Sequence, residues 1–263
     1  SYPTGQRTKC RFNDADSHMW TGIRHAWLLY ENVDRVPDMD ATEKSRLKAE
    51  AKMIVAIYYS HMLRHFGALP IVDHAIDPED VNLPGRATLQ ATVDFIIGLL
   101  NDAINCPDFP WRISDNDLAN WDGRMTKAGA MALKARVLLF VASPLFNDNA
   151  PYCDGEASSS LMTWFGGYNK ERWKAAVEAA LDVIRMNRFS IYTRHVNNDG
   201  AEEPGWGFYA IFHNNDFYKI TDGADGTYAN GTYCEMLFET RPGGGNTREA
   251  LFGPPTCGGN GNG

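Results

Sequence analysis

Apolar positions recur at helical spacing in five stretches of this chain, each bounded by recognisable start or stop residues. The first stretch runs from His18 to Val36, with Trp20, Ile23, Trp27, Tyr30 and Val33 on one face and Pro37 as its stop. The second opens at Asp40, where Asp40 and Glu43 form a capping-box pattern, and continues to Phe66. Its main stripe is Leu47, Ala51, Ile54, Tyr58, Met62 and Phe66, and a second stripe of Val55, Tyr59 and Leu63 lies beside it. A helix apolar on nearly every side needs several neighbours, so this one is expected at the centre. Gly67 suits the left-handed position just past a helix end and Pro70 forbids renewal, so "ALPIV" is expected to form a buried extended strap.

The third stretch follows Thr88 through Val93, Ile96, Ile97, Leu100 and Ile104 and stops before Pro107. The fourth, Thr126 to Ser143, is apolar almost throughout and is also expected to be central, with Ala128, Ala132 and Ala135 allowing a close helix approach. The fifth is capped by Asn169, is expected to turn Trp173, Val177, Leu181 and Ile184 inward, and ends near Asn187. Only "FSIYT" (189–193) and "CEMLFET" (234–240) have strand character. The pattern predicts a mainly α fold in a single domain over 1–263, with a helical scaffold over 18–187 and a loop-rich, aromatic-rich segment over 194–263. The connections 106–125 and 144–168 and the tract from 194 onward are long, and loops of such length in compact proteins commonly carry function.

Composition narrows the class. At 44% hydrophobic, 12% aromatic and 22% charged residues the chain is ordinary globular protein. A formal charge of −8 with no dense Lys/Arg run removes the attraction that drives nucleic-acid binding. No run reaches the roughly 18 apolar residues of a spanning helix, and the opening "SYPTGQRTKC" has neither a signal-peptide core nor a lipoprotein signal ahead of Cys10. The start of the protein is therefore expected upstream. Cys10, Cys106, Cys153, Cys234 and Cys257 lie in turn-rich stretches without CxxC spacing, which suggests neither a zinc nor a redox motif. Scattered thiols and one or two bridges both stay open.

The helix and strap over 47–72, the apolar helix with its flanks over 123–148 and the helix over 171–184 with the two strand-like runs after it together resemble the SusD/RagB-like family, surface nutrient-binding lipoproteins of Bacteroidetes. "LKAEAKMIVAIYYSHMLRHFGALPIV" (47–72) is similar to the family's helix and strap, with Ala68 where a second Gly is usual. "GRMTKAGAMALKARVLLFVASPLFND" (123–148) resembles its next motif helix, and "ERWKAAVEAALDVI" with "FSIY" and "EMLFET" resembles the run that follows. The resemblance implies a scaffold of tetratricopeptide-like helix pairs, with ligand sites in the loops that decorate it. It implies capture of oligosaccharides, or in some members peptides, as the lid of a SusC-like, TonB-dependent outer-membrane transporter. The implied place is the outer membrane at the cell surface, held by a lipid anchor outside this sequence, and the implied chain is about twice as long, with this sequence its middle section.

Residues 205–238 hold aromatics at about twice the average density of the chain, interleaved with Asn214, Asn215, Asp216, Asp222 and Asp225. Flat aromatic faces stack on the C–H faces of sugar rings, and amides and carboxylates bond the hydroxyls. The candidates for ligand contact are Trp206, Tyr209, Tyr218 and Asn214, followed by Trp111 and Trp121 in "PWRISDNDLANWDGR". The same aromatics also suit packing of a long loop onto helices. Arg124 is expected to anchor its loop to a helix end, and His61 and His65 to serve as packing or interface residues. No GxSxG, HExxH or Walker-type motif occurs, and no carboxylate pair stands out for glycosidase chemistry, so binding without catalysis and without a cofactor or metal is expected. "TDGADGTYANG" (221–231) has the acid spacing of a calcium loop without its terminal Glu, and ordinary turn chemistry explains it equally well.

Overall fold

A computed structural model describes residues 12–77, 79–80, 83–113, 121, 123–190 and 233–234. They divide into two compact units, one of Ser1–Trp111 with Lys127–Asp182 and one of Arg112–Thr126 with Val183–Gly263. The fold is mainly α, as the periodicity requires. Its elements are α1 (Phe12–Asn32) with a 3-10 turn at Val33–Arg35, α2 (Ala41–Phe66), α3 (Leu89–Asn105), α4 (Lys127–Ala142), the single turn α5 (Glu156–Ser159) and α6 (Lys170–Arg185). In the second unit β1 (Phe189–Ser190), the start of the first predicted strand, pairs in parallel with β2 (Tyr233–Cys234), which meets the second predicted strand only at Cys234; residues 191–193 and 235–240 lie outside the described residues.

The first unit is a stack in which α2 packs between α1 and α3, and α3 carries α4. The Asp40 carboxylate accepts the Glu43 amide at 2.7 Å, which starts α2 where the capping pattern placed it. Gly67, at φ 73°, ends it with its amide on the Leu63 carbonyl at 3.0 Å. The stripe expected to be secondary is buried throughout, with Val55, Tyr59 and Leu63 at most 1% exposed, whereas the main stripe is buried at Leu47, Ala51 and Met62 but half-buried at Ile54 and Tyr58 and exposed at Phe66. Tyr59 meets both flanking helices, edge-on to Trp20 of α1 and to Phe95 of α3. α1 approaches α2 closely at Gly22, where a Cβ would lie 2.5 Å from the Tyr58 ring.

The strap beyond α2 is buried at Ala68, Leu69 and Val72, as expected, and its backbone polar groups find partners. The Tyr59 hydroxyl donates to the Pro70 carbonyl at 2.8 Å and accepts the Val72 amide at 2.9 Å. The buried Thr92 hydroxyl accepts the Leu69 amide at 3.0 Å, and Arg86 donates to the carbonyls of Ala68 and Phe66.

α6 departs from expectation. Its Asn169 cap forms, with the Glu171 amide on Oδ1 at 2.9 Å, but Trp173, Val177 and Ile184 are exposed while Ala176 and Ala179 are buried. The small alanine face takes the inward side. Arg172 helps fix this rotation by stacking on Phe165 at 4.0 Å and bonding Asn147 Oδ1 at 2.9 Å. α4 likewise is not enclosed among the described residues, since Leu139 is 55% exposed.

Candidate functional site

The tryptophans predicted as ligand contacts that fall within the described residues are Trp111 and Trp121, both half-buried. Trp111 belongs to the first unit and Trp121 to the second, so each is a separate platform. Lys127, the first residue of α4, donates its amide to the Pro110 carbonyl at 2.7 Å and places its ammonium 5.4 Å from the Trp111 ring centre. The Arg124 guanidinium lies 4.3 Å over the Trp121 ring, and its amide bonds the Trp121 carbonyl at 3.1 Å. A cation over an indole face holds the ring in one orientation. Trp206, Tyr209, Tyr218 and Asn214 lie outside the described residues, as do 205–238 apart from Tyr233 and Cys234.

A groove that the sequence did not reveal runs between α1 and the strap, with a volume of about 480 Å³. Its walls are mainly apolar, from Trp20, Ile23, Val72, Ile76 and Leu83, and Asp77 and Asp80 stand at its edge. It exists because α1 grips the strap along its length. Trp27 Nε1 donates to the Val72 carbonyl at 2.9 Å, Arg24 Nε to the Ile76 carbonyl at 3.3 Å, and Glu31 accepts the Ala75 amide at 2.9 Å. Trp20 stands edge-on to Tyr59, 5.8 Å between centres, and is half-buried although the helical pattern turned it inward. No local sequence signal marks the groove, because its walls come from α1, the strap and Leu83.

The electrostatics around these features are local. His74 at the groove has its pKa raised chiefly by a hydrogen bond to Asp73, 2.8 Å away, and Asp73 is lowered by the same contact. Tyr59 is pushed well above the ordinary phenol value by burial, which keeps its hydroxyl available as both donor and acceptor. His61 and His65 lie with ring centres 4.9 Å apart, but Arg64 donates to His61 Nδ1 at 3.3 Å and occupies that lone pair. Burial first, then Arg64 and His65, lower the His61 pKa. Among the described residues no group of three or more His, Cys, Asp or Glu side chains could hold a metal ion, and no helix is long and apolar enough to cross a membrane. Cys106 and Cys153 are free thiols.

No protein-family model matches the chain, and no curated protein matches it either. Among solved structures, BT4246 superposes with a TM-score of 0.58 at 26% identity, covering 68% of this chain and 31% of its own. A SusD superfamily protein from Parabacteroides distasonis superposes with a TM-score of 0.52 at 23% identity, over 70% of this chain and 34% of its own. The chain has the SusD-like fold. It spans about a third of the length of these SusD-like relatives. A laminarin-binding SusD-like protein is 30% identical over 48% of this chain, but its TM-score of 0.43 is too low to equate sites. The SusD-like motifs quoted from the sequence fall on α2 with its strap, on α4 and on α6, which are the parts that build the scaffold.

Proposed function

We propose that this chain is part of a cell-surface nutrient-binding protein that captures oligosaccharides and, as the lid of a TonB-dependent outer-membrane transporter, passes them on without chemistry. The observation that carries the reading is the pairing of a SusD-like scaffold with tryptophans held under cations in the 110–124 segment. A ring fixed by a stacked cation loses little freedom when a sugar docks, so binding energy is not spent on ordering it. Trp206, Tyr209, Tyr218 and Asn214 would extend the binding surface. Membrane attachment through a lipid anchor outside this sequence belongs to the same proposal.

Native affinity electrophoresis in gels cast with β-glucan, α-glucan, galactan or mannan tests it. At least one glycan is expected to retard the protein, and Trp111→Ala, Trp121→Ala or Trp206→Ala is expected to weaken retention by about fivefold or more. Retention by no glycan, or retention untouched in all three variants, overturns the reading. The apolar groove between α1 and the strap favours a second reading, capture of a peptide, because its wall suits an aliphatic side chain better than a ring of hydroxyls. Binding of a mixed tryptic peptide pool, lost in Trp20→Ala, in a protein that retains no glycan would favour that alternative.

A further inference from the structure

The first turns of α2, the end of α1 and the end of α3 line an open pocket of about 440 Å³ that includes neither tryptophan. Lys44, Lys48 and Lys52 recur every four residues and so form one ladder along α2, each step about 6 Å at the helical rise. Lys48 pairs with Asp34 at 2.5 Å and Lys52 with Asp102 at 2.6 Å, while the Lys44 ammonium rests on the Asp34 main-chain carbonyl at 3.2 Å. Three ammonium groups therefore face two carboxylates, in a chain whose net charge is −8.

Which partner sits outermost decides what the pocket can accept. The side chains of Asp34 and Asp102 are 63% and 57% exposed, against 31% and 20% for their lysines. The carboxylate side chains are thus the more exposed member of each pair. Exposed ion pairs of this kind hold weakly, so an incoming anion can replace a carboxylate while the lysines stay in place. The Tyr30 ring lies under two of the ammonium groups, 5.7 Å from Lys48 and 5.2 Å from Lys52, and supplies a flat face beside them. Burial works against the charge on Lys52, but Asp102 and Tyr30 outweigh it and hold the ammonium form.

We propose that this lysine ladder is a subsite for an oxyanion carried on a sugar ring, a uronate carboxylate or a sulfate ester. It deepens the glycan-capture reading and rests on it. The oxyanion bonds Lys44 and Lys48, and the ring that bears it lies against Tyr30.

Isothermal titration of the full chain with tetragalacturonate, a sulfated galactan tetrasaccharide and neutral galactotetraose tests the proposal and separates the two sources of the anion. At least one acidic probe is expected to bind about tenfold more tightly than the neutral one, and to weaken as salt is raised. The double variant Lys44→Gln/Lys48→Gln is expected to lose about fivefold or more in affinity for that probe. Asp34→Asn releases Lys48 and is expected to bind it more tightly, a gain that misfolding cannot produce. No preference for either acidic probe, an unchanged double variant, or weaker binding by Asp34→Asn overturns the proposal. Neutral glycans bound without acidic preference would sink the lysine subsite and leave glycan capture standing; retention of no glycan at all would sink both.

Discussion

Single side chains hold the strap in this protein, and Tyr59 is the clearest case. Its hydroxyl bonds a carbonyl and an amide of the strap from a position 0% exposed, so Tyr59→Phe leaves both buried groups unpaired with almost no change in shape. The expected loss is about 1–3 kcal/mol in urea unfolding, and a change below about 0.5 kcal/mol would show that the two bonds are not made. At the exposed His74 the expectation is a titration, with an NMR-measured pKa above the ordinary imidazole value that falls in Asp73→Asn. The sign follows from the raised folded value. Whatever stability the His74–Asp73 contact gives is present below the unfolded imidazole pKa while Asp73 stays ionised; it disappears as pH rises through the folded His74 value and again as pH falls through the lowered Asp73 value. His61 runs the other way: its lowered pKa favours the neutral ring, so its contribution is present above the unfolded value and is lost as pH falls through the folded one. The role of Tyr59 was not readable from residue type, because it depends on the strap beyond its own helix, whereas the partners of His74 and His61 are their neighbours in sequence.

At the scale of elements, the caps were legible and the rotation of helices was not. Asp40, Thr88, Asn169 and Gly67 all act where local sequence placed them, since a cap involves only a few consecutive residues. Gly67→Ala forces an alanine to φ 73° and puts its Cβ 2.9 Å from the Met162 carbonyl. It should cost about 1–3 kcal/mol, read as a lowered melting temperature; a neutral outcome would mean that the 162 segment does not close over this turn. The rotation of α6 shows where periodicity stops. Its sequence offers two apolar faces, one large (Trp173, Val177, Ile184) and one small (Ala176, Ala179), and helical spacing marks both. The small face went inward, and Asn147 and Arg172 lock that choice. In consequence Trp173→Ser with Val177→Ser should leave stability within about 0.5 kcal/mol and reduce binding of an apolar dye. Ala176→Leu should destabilise by about 1–3 kcal/mol through overpacking. The reverse ranking in chemical denaturation would mean that the large face is the buried one.

For the molecule as a whole, the order of the five long helices, the limits of α2, α3 and α4 and the mainly α class followed from the sequence alone, because amphipathic period, caps and breakers act within a few turns of chain; α1 instead runs from Phe12 to Asn32 rather than from His18 to Val36, and the turn α5 lies in a stretch expected to be a loop. So did the absence of a dense basic run and of any long apolar span, and the SusD-like motifs in α2, α4 and α6. The site was less legible. Trp111 and Trp121 could be chosen as aromatic residues in a polar loop, but not that Lys127 and Arg124 would lie over their rings. The groove beside the strap and the lysine pocket were invisible, since each collects side chains that are remote in sequence: Trp20 with Leu83 in one, Tyr30, Lys52 and Asp102 in the other. The sequence by itself determined which segments form the five long helices and where α2, α3 and α4 stop, through interactions that reach four residues along the chain. Tertiary structure alone decided which side of α2 is deepest, which face of α6 meets the core and which charges share a pocket, because burial and Coulomb energy depend on neighbours that only packing brings together.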